Sequence, residues 1–225
     1  MKILAIDTSS KICGVALLED DNIIDEINLD NGQTHSENLM PIIDKILSKN
    51  NVKLSEINLI GCCVGPGSFT GIRIGVATVK ALAEVNNIPI ASITSLEILA
   101  KLDNSEKTKV SIIDARNNQV YCGIFDASYN KKQEYIAGDI LEVIDILKKY
   151  DNLICIGDGA LLHKEIISEN IKNAEFCEYN TQKAALAGRL AYSKFLNNNL
   201  ENADTITPLY LRKSQAERMK LKNKD

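Results

Sequence analysis

Apolar runs alternate with turn residues over the first thirty positions: Ile3 to Ile6, Ile12 to Glu19 and Ile23 to Leu29 are parted by Thr8-Ser9-Ser10 and Asp20-Asp21-Asn22. This pattern predicts an antiparallel meander of three strands. The period then changes, with Leu39, Ile42, Ile43, Ile46 and Leu47 at helical spacing. A helix is predicted over about 36–50, with Ser36 as N-cap and Pro41 as an internal irregularity. A buried strand over 57–64, a helix over 70–86, a strand over 89–93 and a short helix from Ser95 follow. The order is β-β-β-α-β-α-β-α.

The second half restarts the series. Residues 110–113 and 120–125 read as hairpin strands, with a third strand near Tyr135, a helix over 139–149 and a strand over 153–157. Helices near 161–169 and 181–197 complete it. Asp7 and Asp114 stand 107 residues apart, and each ends a strand that enters a turn and a second apolar strand. Such a duplicated unit predicts an α/β chain of two ribonuclease H-like halves, with mixed sheets flanked by helices. The polar run Asp103 to Lys107 marks the hinge. The expected division is 1–104, 105–202 and a C-terminal segment 203–225.

Composition narrows the class. At 225 residues, with 45% hydrophobic and 25% charged, the chain can bury one sizeable core or two small ones, and it is neither disordered nor fibrous. Met1-Lys2-Ile3-Leu4 enters a strand directly, and no run of about 18 apolar residues occurs. A cytoplasmic protein with no membrane partner is expected. Cys13, Cys62, Cys63, Cys122, Cys155 and Cys177 form no Cys-x-x-Cys pair and read as buried, reduced thiols. His35 and His163 are the only histidines and share no metal-ligand spacing. No metal site and no catalytic residue is assigned. From residue 212 on, six Lys or Arg face two acids, a net +4 that leaves −8 for residues 1–211. An acidic body binds nucleic acid poorly, so any RNA contact is assigned to the tail or to a partner.

Gly65 to Gly75 read Gly-Pro-Gly-Ser-Phe-Thr-Gly-Ile-Arg-Ile-Gly at a strand-to-helix junction. Gly65 and Gly67 admit backbone angles closed to other residues, Pro66 fixes its own φ, and Ser68 or Thr70 can cap the helix. A tight capped turn is the first reading, ahead of an anion loop: no Lys completes a P-loop, and Thr70 replaces the last glycine of a dinucleotide fingerprint. Gly71 and Gly75 then lie four apart on one helix face, near Thr78 and beside Ile72, Val76, Val79 and Leu82. Two glycines inside a helix cost about 1 kcal/mol each relative to alanine, which implies close backbone approach. Internal packing and docking of another chain both fit this face.

Asp7, Thr8 and Ser9, with Gly157, Asp158 and Gly159, occupy the places where a sugar-kinase-like ATPase grips phosphates and adenosine. A carboxylate there would hold magnesium through water. Asp-Thr-Ser-Ser, however, lacks the glycines that bring amides close to phosphate, and Asp114-Ala115-Arg116 puts bulk in the second loop. The preferred reading is a vestigial site that needs no cofactor, with weak ATP or ADP binding at most.

Ile6-Asp7-Thr8-Ser9, His35 to Pro41, Gly65 to Gly75, Lys80-Ala81-Leu82-Ala83 and Pro208 to Ser214 together resemble the bacterial TsaB (YeaZ) family, and the likeness spans essentially the whole chain. The resemblance implies an actin-like, Hsp70-like and sugar-kinase-like fold. It further implies a role in making threonylcarbamoyladenosine, the tRNA modification beside the anticodon. The family is similar to a catalytic paralogue, TsaD, whose equivalent of Ile93 to Leu99 carries a His-x-Glu-x-His metal motif. Here Ser95 and Leu99 take the histidine positions, and neither replaces an imidazole. The implied role is a non-catalytic scaffold that dimerises with a TsaD-like transferase, in a complex with a TsaE-like ATPase and touching tRNA only indirectly.

By the same resemblance the pairing uses the two helices of the first half, through Leu39, Ile43, Ile46, Gly71, Ile72, Gly75, Val76, Thr78, Val79 and Leu82. This choice agrees with the glycine face, and Gly75→Arg is expected to spare the fold and abolish the complex. Without its partner such a face also favours a homodimer. The alternatives are a stand-alone sugar-kinase-like ATPase working through Asp7, Asp114 and Gly157 to Gly159, and a metallopeptidase, for which the sequence offers no ligand spacing.

Overall fold

The meander forms where the apolar runs place it: β1 (Lys2–Asp7), β2 (Cys13–Glu19) and β3 (Asn22–Leu29) pair antiparallel in chain order. The structure, a computed structural model, describes residues 1–212. After the meander come α1 (His35–Lys49), β4 (Leu59–Gly65), α2 (Phe69–Asn86), β5 (Ile90–Thr94) and α3 (Ser95–Ala100). Both β4 and β5 run parallel to β1, which completes a sheet of order β3-β2-β1-β4-β5. In β1, β2 and β4 nearly every residue is buried, as expected of strands covered on both faces.

Residues 102–180 repeat the plan. β6 (Thr108–Asp114), β7 (Gln119–Phe125) and β8 (Ile136–Asp139) form the second meander, followed by α4 (Ile140–Leu147) and β9 (Leu153–Ile156). The chain continues through α5 (Asp158–Leu162), α6 (Lys164–Asn170) and β10 (Glu175–Phe176). The order β8-β7-β6-β9-β10 reproduces the first sheet strand for strand, antiparallel and parallel at the same steps. This is the duplicated ribonuclease H-like α/β architecture. Val110, Ile112, Val120, Cys122, Ile124, Val143, Ile144 and Cys155 centre its core.

The compact units differ from the expected division. One comprises Met1–Lys101 with Thr181–Pro208, and the other Leu102–Asn180 with the described residues from Leu209. The last helix among the described residues, α7 (Ala184–Leu196), therefore belongs to the first sheet and not to the second half, where the expected boundary at 202 puts it. Its inward face explains this. Ala184, Ala185, Ala187 and Ala191 pack with Ile3, Ala5, Ala16, Leu18 and Leu59, and a Cβ on Gly61 of β4 would stand 2.8 Å from that of Ala191. Only a helix face of small side chains can lie that close to the sheet. Beyond α7, Glu201 exchanges two backbone hydrogen bonds with Ile90 and closes the β5 edge.

Three local expectations also shift. Thr34 rather than Ser36 precedes α1, because the Glu37 carboxylate accepts both the Thr34 amide (2.9 Å) and its hydroxyl (2.7 Å). The helix expected over 161–169 is two short helices broken at His163. The two-residue β10 was not anticipated. All six cysteines are free and buried; burial pushes Cys13 up to about 11 and Cys155 up to about 12. Among the described residues no helix is long and apolar enough to cross a membrane. Apart from Arg212, the basic tail lies outside the described residues.

Candidate functional site

Strand β4 ends in Gly65-Pro66-Gly67, and the Ser68 hydroxyl oxygen accepts the Gly71 amide at 3.2 Å, so Ser68 caps α2. Three glycines then lie over Thr8 and Ser9, in the segment leaving β1. A Cβ on Gly67 would fall 2.1 Å from the Ser9 carbonyl oxygen, and one on Gly71 would fall 2.1 Å from that of Thr8 and 2.8 Å from the His35 ring. On Gly75 it would meet the Thr8 hydroxyl at 2.3 Å. None of these places accepts a side chain.

Hydrogen bonds lock the same contact. The Thr8 hydroxyl donates to the Gly71 carbonyl (2.8 Å) and the Ser68 amide to the Ser9 carbonyl (2.7 Å). His35 Nε2 lies 2.9 Å from the Ser10 carbonyl; a carbonyl only accepts, so Nε2 carries the proton. His35, at the first position of α1, therefore ties that helix to the β1 turn while α2 crosses it through its glycines.

The glycine face is thus the inner face of α2, and the agreement expected between it and a docking face does not hold. Of the ten residues expected to meet a partner, Leu39, Ile43, Ile46, Gly71, Ile72, Gly75, Val76 and Val79 are buried. Only Thr78 and Leu82 reach the surface, each half-buried. Outward, α2 presents Phe69, Arg73, Ala77, Ala81 and Val85 at four-residue spacing, with Thr70, Glu84 and Asn86 also exposed. The Arg73 guanidinium stacks 3.8 Å over the Phe69 ring, and Val85 is 74% exposed. On α1, Met40 (49% exposed) and Pro41 are open to solvent.

Residues 93–99 have a structural use for each polar group. Ser95 is fully buried, and its hydroxyl donates to the Pro66 carbonyl, bracing the glycine turn. Leu99 is core. The Glu97 carboxylate accepts the Thr94 amide (2.7 Å) and hydroxyl (2.8 Å), capping α3, and pairs with Lys194 of α7 at 3.1 Å. Ser95 and Leu99 offer no imidazole and the Glu97 carboxylate is occupied, so these residues do not fit a metal ion.

The two expected phosphate-binding groups lie in different units, and each is consumed locally. Asp7, Thr8 and Ser9 are buried. Asp7 Oδ1 accepts the Ser9 amide (2.9 Å) and hydroxyl (2.7 Å), while Oδ2 is buried without a hydrogen-bond partner. Burial pushes the Asp7 carboxyl above the usual carboxylate range, against the opposing pull of Ser9. In the second unit the Gly157 amide donates to Asn180 (2.5 Å), and Asp158 Oδ1 accepts the amides of Asp114 (3.2 Å) and Gly159 (2.8 Å). Asp114 in turn accepts the Arg116 amide at 2.9 Å. A Cβ on Gly159 would lie 2.8 Å from the Asp114 nitrogen.

Sequence reasoning missed the roles of His35, Thr8 and the Glu97–Lys194 pair. The glycine spacing signalled a close approach but carried no record of what approaches.

A family model described as "TsaD: tRNA N6-adenosine threonylcarbamoyltransferase" matches residues 29–220. The Bacillus subtilis tRNA threonylcarbamoyladenosine biosynthesis protein TsaB is 33% identical over 224 residues, 96% of each chain. The chain belongs to this family, on its TsaB (YeaZ) branch. A Pseudomonas aeruginosa protein with similarity to the peptidase YeaZ superposes with a TM-score of 0.82 at 24% identity, covering 94% of this chain and 99% of that one. The ROK hexokinase of Thermus thermophilus superposes at 0.50 with 10% identity, over 88% and 100% of the two chains. These likenesses place the TsaB fold in the actin, Hsp70 and sugar-kinase class, and show the fold alone.

Proposed function

We propose that this chain is a non-catalytic scaffold and activator subunit for tRNA N6-threonylcarbamoyladenosine modification, and that it dimerises with a TsaD-like transferase. Its place in that biosynthesis follows from its family, whose Bacillus subtilis member is named for it. One observation carries the non-catalytic reading. At the paralogue's metal motif stand a buried Ser95 committed to Pro66, a core Leu99, and a Glu97 committed to the α3 cap and Lys194. No imidazole is offered there, so no transfer step is routed through these residues.

The buried Asp7–Ser9 turn, with its Ser9 amide and hydroxyl spent on Asp7, supports a subunit that needs no nucleotide of its own. A TsaE-like ATPase would join the complex from outside, and the −8 charge of residues 1–211 leaves tRNA to be held by the partner. The docking surface is the outward side of α2 with Met40 and Pro41 of α1. Ala77 and Ala81 let a partner helix approach closely, and Phe69, Val85 and Leu82 supply apolar area. In isolation the same surface pairs two copies of the chain. Copurification with a TsaD-like transferase tests this reading: the parent chain should retain the transferase and Ala81→Arg should release it. Retention by Ala81→Arg at the parental level overturns the assigned surface.

A further inference from the structure

Asn31-Gly32 is the only Asn-Gly pair in the sequence, and it lies in the exposed turn between β3 and α1. The Asn31 side-chain amide is held on every side. Its Oδ1 accepts the Gln33 amide (3.1 Å) and Asn38 Nδ2 (2.9 Å), and its Nδ2 donates to Gln33 Oε1 (2.9 Å) and Asn38 Oδ1 (3.2 Å). Asn38 is a buried residue of α1, so the two amides form a reciprocal pair that fastens the turn to the helix. Gly32, by contrast, is unencumbered. It is exposed, sits at φ +77°, and has nothing within 4 Å of the place a Cβ would take.

We infer that Asn31 is a modification site at which the folded protein deamidates itself. The Gly32 nitrogen, giving up its proton to solvent base, attacks Asn31 Cγ. A bond from Gly32 N to Cγ forms and the Cγ–Nδ2 bond breaks. The amide nitrogen leaves as ammonia, taking up the proton that Gly32 released, and a five-membered succinimide remains. Water then opens either imide carbonyl, giving aspartate or isoaspartate at position 31. Neither a cofactor nor a change of oxidation state is involved.

Three features on this turn favour the reaction. No side chain on Gly32 hinders the attack. The two N–H groups already bonded to Oδ1 stand where the oxyanion of the tetrahedral intermediate develops, so its charge meets donors placed in advance. The exposed turn admits base and water. The product carboxylate has no proton to give, so Gln33 Oε1 and the buried Asn38 Oδ1 lose their donors. A negative charge also appears next to Asp30 at the head of α1.

The test incubates the full chain in mildly acidic and mildly alkaline buffer beside a synthetic peptide spanning residues 28–36. Mass mapping then resolves asparagine, aspartate and isoaspartate. In the folded chain, conversion should occur at Asn31 alone, rise with pH, and proceed at least as fast as in the peptide. Gly32→Ala should slow it, as should Asn38→Leu, which removes one of the two Oδ1 donors. If Asn31 stays intact in the folded chain while the peptide converts, the amide pair protects rather than activates, and the inference fails. Conversion spread over other asparagines overturns it equally.

Discussion

Placing a methyl group at residue 75 probes how α2 meets the β1 turn. A Cβ on Gly75 would stand 2.3 Å from the Thr8 hydroxyl oxygen, which already donates to the Gly71 carbonyl at 2.8 Å. For Gly75→Ala to be accommodated, Thr8 must turn away and lose that bond, worth about 1 kcal/mol. Crowding of this kind costs a further ~1–3 kcal/mol. Against it stands the helical preference of alanine over glycine, about 1 kcal/mol. The sum predicts a loss of roughly 1–3 kcal/mol in urea denaturation followed by circular dichroism. Thr8→Ala removes the obstacle, because the nearest remaining Thr8 atom, Cβ, is 3.6 Å away. In that background Gly75→Ala should become neutral or stabilising by up to about 1 kcal/mol, so the double-mutant cycle shows strong coupling. If Gly75→Ala stabilises the parent chain, or costs the same with and without the Thr8 hydroxyl, the packing argument is refuted.

Gly75→Arg and Ala81→Arg should part company: the first should fail to give a native circular dichroism spectrum, and the second should melt with the parent but elute without the transferase on size-exclusion chromatography. A folded Gly75→Arg variant that has merely lost its partner would return the glycines to the docking face. For Asp7 the sign follows from burial, which raises the folded carboxyl above its unfolded value near 3.8. The native state therefore holds the proton more tightly, and this contribution to stability is lost as pH rises from that value through the raised one. Asp7→Asn, a neutral stand-in, should be more stable than the parent at neutral pH in urea titrations, with the gap closing on acidification; a gap independent of pH contradicts this. Glu97→Ala should cost about 1–2 kcal/mol from the lost α3 cap and half-buried Lys194 pair. Glu97→Gln should recover most of that and leave tRNA modification by the complex unchanged, whereas a Glu97→Gln variant that is stable but inactive would make Glu97 a chemical group.

Much of the fold was legible because it rests on local signals that repeat. The apolar runs of β1 to β3, parted by turn residues, and the helical spacing in α1 are local signals, and the restart at residue 110 marks the duplication. What stayed hidden depended on distant partners. The poly-alanine face of α7 suits any apolar surface, and only Gly61 and Leu18 show that the first sheet receives it. β10 spans two residues, too few for a periodicity to register. The Thr34 cap, by contrast, is a local signal that the choice of Ser36 passed over: Thr34-His35-Ser36-Glu37 has capping-box spacing, and the reach of Glu37 selects Thr34.

At the candidate site the balance was similar. Gly71 and Gly75 correctly announced a close approach, yet helix spacing cannot say whether a partner or the chain's own β1 turn approaches. Thr8 and His35 supplied the answer from 63 and 36 residues before Gly71. Ser95 and Leu99 stand where the resemblance puts two histidines, which the sequence alone shows, but the Pro66 contact that gives Ser95 its use needed the fold.

The central claim, that this chain assists a transferase rather than acting as one, is tested most directly by reconstitution. Purified chain, TsaD-like transferase, threonylcarbamoyl-adenylate and tRNA are combined with each protein omitted in turn, and threonylcarbamoyladenosine is counted by mass spectrometry. The account predicts no product from this chain without the transferase and a large rise when the two are together. Product from this chain alone, or full activity of the transferase in its absence, would contradict it.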